Sequence, residues 1–343
     1  GLWFVDQLQP ATSAYNIPVA LRLRGELDRD ALQRALDSIV ARHEATRTTF
    51  VAGVDGRPVA RVAPASAVAV RWADATDASA FANEEASRPF DLAAGPLFRV
   101  AVGRLAAQDH VFVATTHHIV SDEWSLELFL AELGEAYSAA RSGRVAVLPV
   151  LPVQPLDLAA WQRGRHDSGL VDDQLDYWRS VLESAPTTVA LPADYARPPV
   201  QPLTGARVIH TFSPQVADDV RALAQRHGVT MYVAMLAAFY GLLFKLTGQD
   251  DLLVGTPSST RNRSEAEDLI GFFVNTLVLR GDVSGDPSFT ELLDRTRDTT
   301  LDAFAASDVP FERVVRALPL DRDPSRNPLY QVMFALFPSS RHT

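Results

Sequence analysis

Thr115-Thr116-His117-His118-Ile119-Val120-Ser121-Asp122-Glu123-Trp124-Ser125 sits where one kind of periodicity gives way to another. Upstream, 110–116 reads as a strand. Downstream, 123–140 reads as a helix whose apolar face is Leu126, Phe129, Leu130, Leu133, Ala136, Tyr137 and Ala140. Side chains alternate faces along a strand, so His117 and His118 are expected to point to opposite sides. Ser121 or Asp122 is placed to cap the helix that follows. A neutral imidazole is the natural general base near neutral pH, and one such ring can face a reacting group while the other serves structure. Two adjacent histidines also serve as cap and core contacts. A metal chelate is disfavoured, because adjacent strand histidines diverge and a chelate needs convergent ligands.

Outward from this junction the chain mixes helices and strands. A helix is predicted over 28–43, with Leu32, Ala35, Leu36, Ile39 and Val40 at helical spacing. A strand pair over 48–51 and 59–62 brackets the turn signal Gly53-Val54-Asp55-Gly56, and 97–102 reads as a neighbour of 110–116. A helix over 172–182 precedes a proline-rich stretch, 186–202, the best linker candidate. Beyond it come a strand over 207–212, helices over 213–226 and 230–246, strands over 251–255 and 274–280, and a helix over 288–304. The expected division is 1–170 and 171–343, two lobes of similar element content with no sequence repeat.

The bulk properties narrow the chemistry. The 343 residues are 47% hydrophobic, enough for a substantial core, and carry a formal net charge of −10. No basic cluster interleaves with aromatics, so a nucleic-acid partner is not expected. The absence of cysteine removes disulfides, thiolate metal sites and cysteine nucleophiles. Gly-x-Ser-x-Gly is absent, and Gly255-Thr256-Pro257 lacks the ending of a phosphate-binding loop. No apolar run has the length of a membrane span, and the composition is compatible with the cytoplasm. The chain opens inside the apolar run Gly1-Leu2-Trp3-Phe4-Val5 and reads as part of something longer.

The junction resembles the His-His-x-x-x-Asp motif of the condensation domains of nonribosomal peptide synthetases, within the chloramphenicol-acetyltransferase-like superfamily. Other segments resemble the family's remaining motifs, in the family's order. They are Leu2-Trp3-Phe4-Val5-Asp6-Gln7-Leu8 with Tyr15-Asn16-Ile17-Pro18, then Arg42-His43-Glu44-Ala45-Thr46-Arg47-Thr48-Thr49-Phe50, then Asp157-Leu158-Ala159-Ala160-Trp161. Ile270-Gly271-Phe272-Phe273-Val274-Asn275-Thr276 through Arg280 follows, then Asp308-Val309-Pro310-Phe311-Glu312 and Arg322-Asp323-Pro324-Ser325-Arg326-Asn327-Pro328-Leu329.

The resemblance implies an α/β fold of two chloramphenicol-acetyltransferase-like lobes in a V-shaped pseudo-dimer with a central tunnel. It implies an enzyme that forms an amide bond between a donor acyl or peptidyl thioester and an acceptor aminoacyl thioester. Both would be carried on phosphopantetheine arms of donor and acceptor peptidyl carrier proteins, beside an adenylation domain in the same multienzyme. No intrinsic cofactor and no metal are expected. By position, His118 is the catalytic histidine, and Asp122 is structural, ion-paired with Arg47 or Arg280. His117, Trp124, Ser125 and Asn275 support the site. The opening motif most resembles the subtype that takes an L-configured donor.

Several positions depart from the pattern. Glu123 stands where the family usually has Gly, Ala306-Ser307 where the sixth motif begins His-Gln, and Pro155 where the fourth has Tyr. The chain ends soon after the seventh motif, so its last lobe is expected to be incomplete. Glu123 is a candidate substrate-tuning residue, and it keeps a dehydrating variant of the fold in view. Epimerization is disfavoured by the flanking motifs, and heterocyclization by the intact His pair. A non-catalytic platform that recruits carriers or a tailoring enzyme is the other alternative.

Overall fold

The computed structural model describes residues 1–321 and 323–337. The chain forms two compact units that are interleaved in sequence. One comprises 1–163 together with 261–273, and the other comprises 164–260 and 274–343.

The first unit carries α1 (Leu2–Leu8), β1 (Asn16–Arg24), α2 (Arg29–Arg42), β2 (Thr48–Ala52), β3 (Pro58–Val62), β4 (Val70–Asp74) and α3 (Ala78–Ser87). It continues through β5 (Phe98–Ala106), β6 (Asp109–His117), α4 (Glu123–Arg141) and the start of α5 (Pro155–Asp167). Its main sheet has the order β1-β6-β5-β4, with β4 parallel to β5 and the other pairs antiparallel. The β2–β3 hairpin stands apart. Helix α2 starts at Asp28, whose carboxylate accepts from the Ala31 N–H, and buries Leu32, Ala35, Leu36, Ile39 and Val40. These pack with Phe98, Val100, Val102 and Phe112 of the sheet and with Phe129, Leu133 and Ala136 of α4. The predicted apolar faces of both helices are therefore the ones buried.

The second unit carries α6 (Asp172–Leu182), α7 (Pro214–Arg226), α8 (Met231–Thr247), β7 (Asp251–Ser259), β8 (Val274–Asp282), α9 (Phe289–Ala305) and α10 (Phe311–Ala317). Strands β7 and β8 pair antiparallel, and Gly255 adds a parallel bridge to Met333. Helix α8 ends where Gly248 turns left-handed at φ 71°, a conformation that costs glycine little. Ser288 and Glu291 open α9 with a reciprocal capping box. No single helix among the described residues is long and apolar enough to cross a membrane.

Three expectations need correction. The first division falls between 163 and 164 instead of 170 and 171, and 261–273 rejoins the first unit. The proline-rich stretch 186–202 lies within the second unit and is tied to it. The Val189, Ala190 and Gln201 N–H groups donate to Gln331 Oε1, Gln249 Oε1 and the Pro324 carbonyl. The alternating segment 207–212 is coil, with Val208 and Ile209 exposed. Among the described residues no neighbouring strand supplies the ladder that alternation alone cannot provide.

Candidate active site

Strand β6 ends at His117, the last residue paired with β1, opposite Asn16. His118–Val120 then makes one 3-10 turn before α4. The two rings have different surroundings. His117 is 2% exposed, and its ring centroid lies 6.2 Å from those of Tyr15 and Phe90. Its Nδ1 accepts the Ile119 N–H at 3.1 Å. Burial, then the neighbouring His118, pushes its pKa from 6.5 down to about 4, so this ring is neutral at ordinary pH. His118 is half-buried, with Nδ1 2.8 Å from the Ser121 carbonyl oxygen. A carbonyl only accepts, so Nδ1 carries the proton, and in the neutral ring Nε2 keeps its lone pair. The Phe272 ring lies 5.1 Å from it, centroid to centroid, in an edge-to-face arrangement at 86°.

Asp122 caps α4, with Oδ1 accepting from the Ser125 N–H at 2.8 Å and the Ser125 hydroxyl at 2.6 Å. Its ion partner is Arg261, whose Nη2 lies 2.9 and 3.2 Å from the two carboxylate oxygens; both side chains are at most 5% exposed. Neither expected arginine pairs with it. Arg47 donates to the Val40 and Ala63 carbonyls and lies 3.6 Å from Glu44. Arg280 holds Asp251 at 2.7 and 2.9 Å in the second unit. Each is already committed to acceptors on its own element or its neighbour, whereas Arg261 arrives with the returning segment 261–273.

That segment is bound at several points. Arg261 donates to the Leu269 carbonyl at 2.8 Å. The Gly271 N–H donates to Ser125 Oγ at 3.0 Å, the Phe273 N–H to Asp122 Oδ2 at 3.0 Å, and the Ile270 N–H reaches His43 Nδ1 at 3.4 Å. His43 in turn places Nε2 2.8 Å from Glu132, which Arg42 also holds at 3.0 Å. A Cβ on Gly271 would stand 2.6 Å from the Phe273 ring and 3.2 Å from Pro155, so the close approach requires glycine. Trp124 is 53% exposed, and its Nε1 donates to the Glu267 carbonyl at 2.8 Å. Glu123 opens α4 and is exposed; partial burial, then Glu127 and Asp122, raise its pKa.

Asn275 lies in the second unit. Its amide donates to the Ser307 and Val309 carbonyls, and its Oδ1 accepts the Phe311 N–H, which fixes the start of α10. Arg322 of the seventh motif lies outside the described residues. The sequence reading missed Arg261, the His43–Glu132 pair and the Phe272 contact to His118. No local spacing announces them, although a buried Asp122 carboxylate by itself demands a cation.

A His-His-x-x-x-Asp junction at the end of a strand, on a mixed α/β fold, defines the chloramphenicol-acetyltransferase-like class. The condensation-domain family profile matches residues 1–341, and the chain belongs to the condensation-domain family of nonribosomal peptide synthetases. It is 44% identical over 98% of its length to a linear gramicidin synthase of Brevibacillus parabrevis, and spans 7% of that protein. It is 40% identical over 98% of its length to phosphinothricin tripeptide synthetase PhsB of Streptomyces viridochromogenes, and spans 29% of it. Among solved structures, the X-domain from teicoplanin biosynthesis is similar at a TM-score of 0.88 and 30% identity, covering 96% of this chain and 74% of that one. The X-domain in complex with OxyB is similar at 0.87 and 31% identity, over 95% and 73%. Condensation domains form peptide bonds within such multidomain synthetases, alongside carrier and adenylation domains.

Proposed function

We propose that this chain catalyses amide-bond formation between a donor acyl or peptidyl thioester and an acceptor aminoacyl thioester, and that His118 is its base. The observation that carries this is the Nδ1 contact to Ser121 O, 2.8 Å, which leaves Nε2 as the ring's free acceptor. The acceptor amine attacks the donor thioester carbonyl. A C–N bond forms, the C–S bond breaks and the donor arm leaves as a thiol. The amine must shed one proton, which His118 Nε2 accepts or steers and which the leaving sulfur finally takes up. The substrates are phosphopantetheine thioesters of donor and acceptor carrier proteins, with an adenylation domain in the same multienzyme, working in the cytoplasm. Neither bond change calls for a metal or a resident cofactor.

Asp122 takes no part in proton transfer on this reading, because its oxygens are already engaged by Arg261, Ser125 and Phe273. Glu123 tunes the reaction from the first turn of α4, where a carboxylate is also favoured by the helix dipole. A second reading, recruitment without catalysis, is favoured by the likeness to an X-domain bound to OxyB and by the Glu at position 123.

Incubation with loaded donor and acceptor carriers, read by mass spectrometry, separates these. The parent chain should give the amide, and His118→Ala should lower its rate by roughly 10²–10⁴-fold. Glu123→Gly should broaden acceptor range, or, if the parent yields a dehydrated product, return it to simple condensation. A parent chain that forms no amide while retaining a tailoring enzyme would support recruitment.

A further inference from the structure

We infer that Phe272 is a positioning residue for His118, and that the segment bearing it is the means by which Asp122 acts on the reaction. This deepens the proposed function and rests on His118 being the base.

A ring held by one hydrogen bond can still rock about the bond that joins it to the backbone. The Ser121 contact fixes the Nδ1 edge of His118 at one point only. The Phe272 ring, edge to face at 5.1 Å, supplies the second contact. Such pairs favour a defined angle, because the electron-poor edge of one ring seeks the electron-rich face of the other. Together the two contacts hold the ring in one orientation, and with it the lone pair on Nε2.

Phe272 can do this only if it is itself held. The residue is 39% exposed, so packing holds it only in part. Its neighbours are anchored. Ile270 is buried in the main core of the first unit, and Phe273 in a separate cluster with Leu158, Ala266 and Leu269. The N–H groups of Ile270, Gly271 and Phe273 go to His43, Ser125 and Asp122 respectively. With the backbone tied on both sides, Phe272 is presented outward at a fixed place. Asp122 therefore reaches the base through Phe273 and Phe272 as well as by capping the helix.

The test compares Phe272→Ala, Phe272→Leu and Phe272→Tyr with the parent and with His118→Ala. The assay uses a donor–acceptor pair that the parent joins, chosen from a panel of aminoacyl carrier proteins. The expected result is a three- to tenfold fall in kcat for the Ala and Leu variants, with KM and melting temperature unchanged and recovery in the Tyr variant. Phe272→Leu preserves most of the volume and serves if Phe272→Ala fails to fold. A Leu variant with parental kcat overturns the inference. So does a rise in KM at constant kcat, which would make Phe272 a substrate contact, or a fall in kcat that tracks a fall in melting temperature. If His118→Ala itself runs at the parental rate, it is the base assignment that has failed.

Discussion

An imidazole can be a base or a strut, and its two nitrogens show which. His117 spends Nδ1 on the Ile119 N–H and sits 2% exposed between Tyr15 and Phe90, so it enters the fold as a neutral strut. Burial holds its pKa at about 4 against 6.5 for a free ring. Between those values the unfolded chain carries a proton on this residue that the folded chain does not. Stability contributed by its neutrality is therefore complete above pH 6.5 and falls as the pH drops toward 4. The predicted loss between pH 7 and pH 5 is about 2 kcal/mol from this residue. Urea unfolding at the two pH values checks it against His117→Asn, whose side-chain oxygen can accept the same N–H without titrating. The parent should lose about 2 kcal/mol more than the variant; equal losses would mean that the ring is not held neutral. His118 has no comparable enclosure, and its tie to Ser121 O leaves Nε2 for chemistry.

At the scale of elements, the junction between β6 and α4 is organised by Asp122, whose carboxylate serves as helix cap, ion partner and loop anchor together. Removing one member of a buried pair leaves the other charge uncompensated, at a cost of roughly 3–5 kcal/mol. Asp122→Asn and Arg261→Gln should each destabilise on that scale, and the double variant should lose clearly less than their sum. Denaturant midpoints of the four proteins check this. An Asp122→Asn chain as stable as the parent but inactive would move Asp122 into the chemistry. The cap at Asp122 was legible in the sequence, because a cap follows from local geometry. So were α2, α4 and α6, whose apolar faces repeat at helical spacing. The partner of Asp122 was not, because Arg261 stands 139 residues away and each expected arginine is engaged elsewhere. The segment 207–212 failed for the opposite reason, since its alternation is local and a strand needs a neighbour.

For the whole molecule, what matters is that the chain leaves the first unit, builds most of the second, and returns for 261–273 before leaving again. Local pattern carries no record of which half a short loop folds with, so the sequence read as two successive lobes. The returning segment brings Ile270 to the main core, gives Leu158 its partners Ala266, Leu269 and Phe273, and supplies Arg261 to Asp122. A protein comprising 1–163 alone would expose that apolar surface and leave the Asp122 carboxylate without its cation. Each loss is a sizeable fraction of the roughly 5–15 kcal/mol by which a domain of ordinary size is stable as a whole. The expected outcome is that 1–163 alone unfolds without a cooperative transition and binds a hydrophobic dye such as anilinonaphthalene sulfonate. The same protein carrying 261–273 on a flexible glycine–serine linker should regain a cooperative transition. Arg261→Gln within the linked segment should recover less of it, because the apolar partners return without the charge. If 1–163 unfolds as cooperatively as the linked form, the segment is bound to the first unit without stabilising it, and its contacts to Asp122, Ser125 and His43 serve only to place Phe272.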